Sequence, residues 1–285
     1  MKRNPMQPVP RRRLAFALAG LLAASAAIAG AREDVRADDA LRVVRQIQSI
    51  PESGIPDRLL DEARGIVVVP DTIKAGFFLG GRRGLGLMSV KSADGTWSNP
   101  VFVKLAGASI GFQAGVQSAD VILVFRSDRG LESIVNGKFT LGAEAGVAAG
   151  PIGRNASAAT DGDFKAEIWS WSRARGLFAG VALDGAVLSI DNGANSSAYG
   201  DGVTPRMVFE GRATQAPSAA IVAFRDALEE ASAGARQTRA RKETNVPAST
   251  GAPVNPGTSV QPIDNHNPAT TTPLEPSTPP ASNKP

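Results

Sequence analysis

The fold class is decided by the stretch Gly107-Ala108-Ser109-Ile110-Gly111-Phe112-Gln113-Ala114-Gly115-Val116. With a period of two, this stretch places its glycines with Ser109 and Gln113 on one face and its apolar residues on the other. Residues 141–150 alternate in a similar way, again with glycines four residues apart. On a helix this spacing would be typical of a membrane packing stripe, but neither stretch is an uninterrupted apolar run of about 18 residues. The alternation therefore predicts strands whose glycine face admits another backbone or leaves a cavity.

Further short apolar segments flank these two stretches, with glycine, asparagine, aspartate or proline between them. Strands are predicted over residues 66–70, 76–91, 100–104, 107–116, 120–126, 138–149, 164–172, 177–182 and 185–190. Because the connections are too short for parallel crossovers, we expect a mostly antiparallel sheet. Helical periodicity predicts two helices before the strands, over residues 40–50 and 56–64, and one after them, over about 217–232.

The two ends of the chain differ in composition from its middle. Residues 1–31 combine basic residues, an apolar run over 14–28 and small residues after it, which is typical of a secretory signal; an uncleaved membrane anchor is the alternative. Residues 235–285 are rich in proline, threonine and serine and predict a disordered tail, either a flexible extension or a spacer through cell-wall material. We therefore expect a folded domain over 32–234 in an exported protein of the periplasm, free there or peripheral to the membrane.

The formal net charge of +4 does not belong to the predicted domain. Without Lys2, Arg3, Arg11, Arg12 and Arg13, the chain has 26 basic and 27 acidic residues. Residues 32–234 alone have 21 basic and 24 acidic residues. Proteins that bind nucleic acid through its phosphate backbone carry an excess of basic residues, so we predict no nucleic-acid partner.

The sequence contains no recognisable catalytic centre. It has no cysteine, and its single histidine, His266, lies in the predicted tail. Residues 107–111 match the G-x-S-x-G pattern of serine hydrolases, but the predicted domain supplies no histidine and no helix-forming sequence follows. Residues 81–86 lack the spacing of a phosphate-binding loop and are interpreted as a turn. The aspartates at 161, 163 and 191 lack the further ligands of a complete calcium site. We predict no enzymatic activity, no cofactor and no metal.

Two polar residues stand on the glycine faces of the deciding stretches. Gln113 belongs to the first stretch and Glu144 to the second. They are pocket candidates if the two strands face one another, and structural polar residues otherwise.

Six stretches, in order along the chain, resemble the SYLF domain family. They are residues 55–66, Trp97-Ser98-Asn99-Pro100, residues 107–115, Gly150-Pro151-Ile152-Gly153-Arg154, residues 169–185 with Trp169-Ser170-Trp171-Ser172-Arg173-Ala174-Arg175-Gly176 at their start, and residues 195–200. The resemblance covers about residues 36–215. It implies a compact domain that binds anionic lipids, in eukaryotic members phosphoinositides, and in some members actin.

The glycine-punctuated strands and the resemblance together predict an α+β fold. Its sheet is expected to be mostly antiparallel and strongly curved or barrel-like, with N-terminal helices and a closing C-terminal helix. The predicted function is non-enzymatic binding of anionic lipid or phospholipid headgroups in the cell envelope. The alternative is a structural periplasmic protein that binds a protein or cell-wall partner.

Arginines beside glycines are the predicted headgroup ligands. Glycine permits close backbone approach, and the planar guanidinium can grip phosphate oxygens with two hydrogen bonds. The candidates are Arg154, Arg173, Arg175, Arg82 and Arg83. Solvated turn arginines, or partners of nearby acids, are the alternative interpretation of each.

Overall fold

The computed structural model describes residues 11–49, 54–76, 79–110, 115–151, 166–174 and 177–244. The chain divides into two units, Met1–Asn245 and Val246–Pro285, and every described residue lies in the first. The helices of the described part are α1 (Arg11–Ser49), α2 (Asp57–Glu62), α3 (Asp128–Val135), α4 (Asn192–Tyr199), α5 (Pro205–Phe209) and α6 (Ala219–Thr244). Within these described ranges, no helix combines the length and the apolar composition that crossing a membrane requires.

The strands form one curled sheet. They are β1 (Gly65–Gly76), β2 (Leu79–Val90), β3 (Val101–Ile110), β4 (Gly115–Phe125), β5 (Lys138–Thr140), β6 (Val147–Ala149), β7 (Ile168–Ala174), β8 (Leu177–Gly180) and β9 (Val187–Ile190). Their order is β5-β9-β3-β2-β1-β4-β7-β6, with β8 beside β7. Each neighbouring pair is antiparallel except β6 and β7. The predicted α+β fold with a curved, mostly antiparallel sheet is confirmed.

Several element boundaries differ from the sequence predictions. The predicted strands over 66–70 and 76–91 are β1, which continues through Pro70, and β2, which begins at Leu79. Helices α1 and α6 are longer than the helices predicted there, and α6 passes the predicted domain end at residue 234. The predicted strand over 138–149 is interrupted by a turn, in which Gly142 has a φ of 85°. Helices α3, α4 and α5 were not predicted because they span only five to eight residues, too few for helical periodicity to be recognised.

The predicted turn over 81–86 is wrong, because these residues lie inside β2. Their glycines mark close approach of the neighbouring strand. A Cβ on Gly84 would overlap the side chains of Val69 and Thr72, and a Cβ on Gly86 would overlap the carbonyl oxygen of Val68. Glycine inside a strand is typical of such an approach as well as of turns, so composition alone does not distinguish the two.

A β-bulge in the central strand β1 sets which side chains face each side of the sheet. Val69 pairs with Val121 of β4, but Thr72 pairs with Ala119, so β1 carries one extra residue between these two pairs. The pairing with β2 shifts over the same segment. Because side chains alternate along a strand, the extra residue exchanges the two faces for the rest of β1. We call the face carrying Thr72 the inner face, and the opposite face, against which α1 packs, the outer face.

Asp71 at the bulge has a φ of 44°, a left-handed conformation that costs a non-glycine residue about 1–2 kcal/mol. Its N–H donates a hydrogen bond of 3.1 Å to the Asp120 carboxylate on β4. Asp120 is buried, and Arg42 of α1 and Arg173 of β7 lie 3.6 and 3.5 Å from the same carboxylate. A charge-assisted hydrogen bond contributes about 1.5–3 kcal/mol, enough to offset the strain.

Trp171 of β7 fixes the segment that follows β6. Its ring is fully buried and occupies the space that a Cβ on Gly150 would need. The indole Nε1 donates to the Pro151 carbonyl at 3.0 Å. A Cβ on Gly180 would in turn overlap the Gly150 carbonyl oxygen. Two stretches of the SYLF resemblance, 150–154 and 169–185, therefore meet in one packing unit, which explains their residue types without a ligand.

Trp97 attaches the closing helix α6 to the sheet. Its indole Nε1 donates to Ser232 Oγ at 2.9 Å, and its backbone N–H donates to the Glu229 carboxylate. The next residue, Ser98, accepts a hydrogen bond of 3.1 Å from the Val90 N–H of β2. The Trp97-Ser98-Asn99-Pro100 turn is thus a structural joint between α6 and β2.

Helix α4 is held to β3 by side chains of the last resembling stretch. The Asn195 amide accepts from the Phe102 N–H at 2.9 Å and donates to the Phe102 carbonyl at 3.0 Å. The Tyr199 hydroxyl donates to the Pro100 carbonyl at 2.6 Å, and burial raises the pKa of that hydroxyl. Both side chains therefore extend the hydrogen bonding at the start of β3.

Asp191 joins three elements through one buried carboxylate. It caps α4 by accepting from the Ala194 N–H at 3.3 Å, and it forms ion pairs with Arg36 of α1 at 3.2 Å and Lys104 of β3 at 2.9 Å. Burial opposes its ionisation, but the hydrogen bonds from Lys104, the Ala194 N–H and Arg36 outweigh burial and lower its pKa. Ionised Asp191 is therefore part of the stable folded state.

Replacing Gly150 tests the Trp171 packing unit. We expect Gly150→Ala to lower the free energy of unfolding by about 1–3 kcal/mol, because the new methyl group overlaps a buried ring. Gly146→Ala is the matched control, since a Cβ there meets nothing within 4 Å, and we expect a change within about 0.5 kcal/mol. Urea unfolding of the full chain measures both. Equal stability of the two variants would contradict the packing argument.

Asp191 predicts a specific acid sensitivity. Because the pKa of the Asp191 carboxyl is lower in the folded state, its ionised form stabilises the fold when the pH is above the unfolded-state pKa of about 3.9. This contribution is lost as the pH falls through the folded-state pKa. At pH 7 we expect Asp191→Asn to be less stable than the wild type by about 2 kcal/mol, and this gap to close toward pH 2. Thermal unfolding across pH measures the gap. Asp201→Asn, at an exposed position, has the same charge change and should show no such closing gap.

Candidate functional site

A cavity of about 180 Å³ opens on the inner face of the sheet. We call it the barrel cavity. Strands β1, β2, β4 and β7 and the segment after β8 line it, and its polar lining residues are Thr72, Lys74, Arg82, Gln117 and Ser172. The remaining lining residues are apolar: Ala119, Val121, Ala174, Val181 and Leu183.

The sheet register places the polar residues in a row across the strands. Lys74 of β1 pairs with Gln117 of β4 on one side and with Arg82 of β2 on the other. Arg82 in turn pairs with Gly107 of β3, which adds no side chain to the row. Side chains at directly paired positions have Cβ atoms about 5 Å apart, so Lys74 and Arg82 are immediate neighbours.

This pairing is electrostatically unfavourable without a ligand. Like charges at directly opposite strand positions repel. The described residues that line the barrel cavity include no carboxylate. Both cations are half-buried, and burial lowers the pKa of the Arg82 guanidinium. A bound anion would relieve both costs. The Ser172 hydroxyl lies in the same lining, whereas the Thr72 hydroxyl donates its proton to the Val69 carbonyl at 3.3 Å.

A second opening of about 520 Å³ lies on the outer face, between α1 and strands β1 and β2. We call it the α1 groove. Three of its apolar residues are unusually exposed: Val35 at 62%, Ile73 at 52% and Leu85 at 38%. Arg32 and Arg83 lie beside them. The lining also includes the carboxylates of Asp39 and Asp71. The α1 groove therefore combines exposed apolar side chains with charged side chains of both signs.

Comparison with known proteins finds a family match for the later strands of the sheet and for the first half of α6. Residues 106–231 match the profile of the Ysc84 family, described as Las17-binding protein actin regulator. This region is similar to the Ysc84, or SYLF, domain. The family resemblance seen in the sequence motifs is thereby confirmed.

Relatives of this region occur in yeast and mammals. Protein YSC84 of Saccharomyces cerevisiae is 36% identical over 168 residues, which are 58% of this chain and 36% of the relative. LAS seventeen-binding protein 3 of the same species is 35% identical over 167 residues, 58% of this chain and 36% of the relative. Human SH3 domain-containing YSC84-like protein 1 is 34% identical over 158 residues, 53% of this chain and 46% of the relative. The chain thus spans less than half of the length of these relatives.

Among these names, LAS seventeen-binding protein 3 describes a binding protein, and the family description gives an actin regulator; none of the three names describes an enzyme. Within the described part of the matched region and its flanking elements, no three histidine, cysteine or acidic side chains are grouped as a metal ion would require.

The structure separates the predicted headgroup ligands. Arg82 lines the barrel cavity, whereas its neighbour Arg83 points to the outer face and lines the α1 groove. Arg173 lies over the Phe178 ring, 5.5 Å from its centroid, and pairs with Asp120 and Gln46. Arg154 and Arg175 lie outside the described residues.

Of the two pocket candidates, only Glu144 lies in the described part of the chain. Glu144 is exposed in the turn before β6 and accepts a hydrogen bond of 2.8 Å from the Thr140 N–H. It does not line the barrel cavity. Gln113 lies outside the described residues.

Sequence analysis named only Arg82 among the polar residues of the barrel cavity, and Lys74 is the cation that it missed. Alternation from the buried run 66–69 would place Ile73, not Lys74, on the same face as Val69. The bulge reverses this order, and the sequence signals it only through Pro70-Asp71, a pair that reads as a strand end. Arg82 was identified, but for its neighbouring glycines rather than for its pairing with Lys74.

The cation pair predicts a stability cost that mutation can remove. We expect Arg82→Met to raise the free energy of unfolding by about 0.5–1 kcal/mol at low ionic strength without anions, because it removes the repulsion while keeping the aliphatic stem. Arg83→Met is the matched control one residue away on the opposite face, and should change stability by less than about 0.5 kcal/mol. Urea unfolding in a chloride-poor buffer compares them. A loss of stability in Arg82→Met would show that the repulsion is not the dominant effect.

Proposed function

We propose that this protein binds the anionic headgroups of phospholipids without chemical turnover. The observation that carries the proposal is the barrel cavity, in which Lys74 and Arg82 are paired across two strands and no described carboxylate lines the space. A phosphate group matches this pair of cations, because the guanidinium of Arg82 can donate two parallel hydrogen bonds to it and the ammonium of Lys74 adds a compact positive charge.

The size of the barrel cavity supports a headgroup rather than a whole lipid. Ligand pockets for drug-sized molecules measure about 300–1,000 Å³, whereas this cavity measures about 180 Å³. A phosphate group with a small substituent fits that space. The acyl chains would then remain outside the protein, so the lipid would be recognised at the membrane surface.

The α1 groove supplies the apolar contacts that such a surface needs. Ile73 follows Thr72 on β1 and precedes Lys74, so cavity and groove lie on opposite faces of the same strand segment. Exposed Ile73, Val35 and Leu85 can enter the interfacial layer, where apolar side chains and basic residues together favour anionic bilayers. The sequence features of residues 1–31 support the periplasm as the setting.

A protein or cell-wall partner is the alternative function. It is favoured by the names of the relatives, which include a Las17-binding actin regulator family and LAS seventeen-binding protein 3. For this chain, such a partner would be recognised by a surface other than the barrel cavity.

Vesicle co-sedimentation of the full chain tests the proposal. We expect binding to phosphatidylglycerol-containing vesicles and little binding to phosphatidylcholine vesicles. The double variant Lys74→Met, Arg82→Met should bind more weakly by about 2 kcal/mol, roughly thirtyfold, because each cation near an anionic surface contributes about 1 kcal/mol. A further double variant, Arg154→Met with Arg175→Met, tests the predicted ligands outside the described residues.

A charge-matched control separates site binding from general attraction. Lys138→Met with Arg212→Met removes the same charge at exposed positions that do not line the barrel cavity. Equal weakening in the control and in the cavity variant would reject the barrel cavity as the site. Absence of wild-type binding to any anionic vesicle would reject the lipid function and leave the partner function.

A further inference from the structure

A third cavity lies on the outer face, enclosed by α1, α2, α6 and the sheet. Its volume is about 290 Å³, and it shares no lining residue with the barrel cavity. We call it the helix cavity. Its lining is mainly apolar. It includes Ile47 of α1, Leu60 of α2, Leu228 of α6, and Val68 and Ile122 of the sheet.

The helix cavity exists because α6 presents small residues at this point. Ala231, Gly234 and Ala235 line it where larger side chains would fill it. Gly234 is exposed at the mouth, and a Cβ there would meet nothing within 4 Å. Leaving apolar space of this size empty costs stability in proportion to its volume, and a smaller apolar cavity of about 150 Å³ is known to bind benzene.

The polar residues of the lining restrict the charge of an occupant. Asp57 and Glu230 are acidic, Gln48 and Thr238 are uncharged hydrogen-bonding residues, and the described lining includes no lysine or arginine. An anionic headgroup is therefore disfavoured at this site. This charge preference is opposite to that of the barrel cavity.

We propose that the helix cavity binds one uncharged aliphatic chain that ends in a hydroxyl group, such as a long-chain alcohol. The chain lies among the apolar side chains of α1, α6 and the sheet. The Gln48 amide donates to the Ala227 carbonyl at 3.4 Å and the Thr238 hydroxyl donates to the Gly234 carbonyl at 3.0 Å. The hydroxyl group of the alcohol therefore lies toward these side chains as a donor to their oxygens. This site is independent of the headgroup function proposed for the barrel cavity.

Calorimetric titration of the full chain with 1-hexanol, 1-octanol and 1-decanol tests the inference. We expect saturable binding to one site, with the dissociation constant about fourfold lower for each added methylene until the chain fills the cavity. Decanoate has the same chain with an anionic end and should bind at least about tenfold more weakly than 1-decanol. Non-saturable uptake of the alcohols, or decanoate binding as tight as that of 1-decanol, would overturn the proposal.

Two substitutions at the same position locate the site. Gly234→Leu places an apolar side chain over the mouth and should weaken 1-decanol binding by at least about tenfold. Gly234→Ala improves helix propensity similarly but leaves the cavity open, so it should bind 1-decanol like the wild type. Both variants should retain wild-type binding to phosphatidylglycerol vesicles. Unchanged 1-decanol binding in Gly234→Leu would overturn the assignment, whatever the outcome for vesicles.

Discussion

The extra residue in β1 is the constraint on which the rest of the structure depends. It lies between Val69 and Thr72, and it shifts the pairing of β1 with both of its neighbours. Upstream of the bulge, Ile66 and Val68 pack under the helices; downstream, Lys74 faces the barrel cavity and Ile73 is exposed. An unbulged strand with this sequence would bury the isoleucine and direct the lysine outward. The candidate site is therefore a consequence of one backbone irregularity.

Asp120 holds this irregularity in place and thereby determines the role of Arg173. Its buried carboxylate receives the Asp71 N–H and lies beside two guanidiniums, from Arg42 and Arg173. Removing one partner from such a buried group costs about 3–5 kcal/mol, because the remaining charges lose their compensation. Arg173 thus joins β7 to the bulge, an electrostatic role that accounts for its position without a ligand.

Sequence analysis predicted the parts of the fold that depend on local patterns. Alternation identified strand character around residues 107–116, and helical periodicity identified α6. The single strand predicted over 107–116 is wrong, however, because β3 ends at Ile110 beside β2 and β4 begins at Gly115 beside β1. Sequence analysis could not predict where a strand continues through Pro70, since proline followed by aspartate usually ends a strand. Nor could it recognise that Gly84 and Gly86 accommodate a neighbouring strand, because that depends on a pairing between distant segments. For the same reason the sequence identified Arg82 as a candidate ligand but did not identify Lys74, the residue with which it pairs across the strands.

The motifs that reveal the family are mainly structural. Trp97 joins α6 to the sheet, Trp171 packs on Gly150, and Asn195 binds the backbone of β3. The matched family region begins at residue 106, whereas both cations of the barrel cavity lie on β1 and β2, before that region. A shared fold therefore does not fix the ligand, which depends on the side chains of the two strands that precede the matched region. Chains with the same motifs but other residues at positions 74 and 82 would keep the curled sheet and change what its barrel cavity binds.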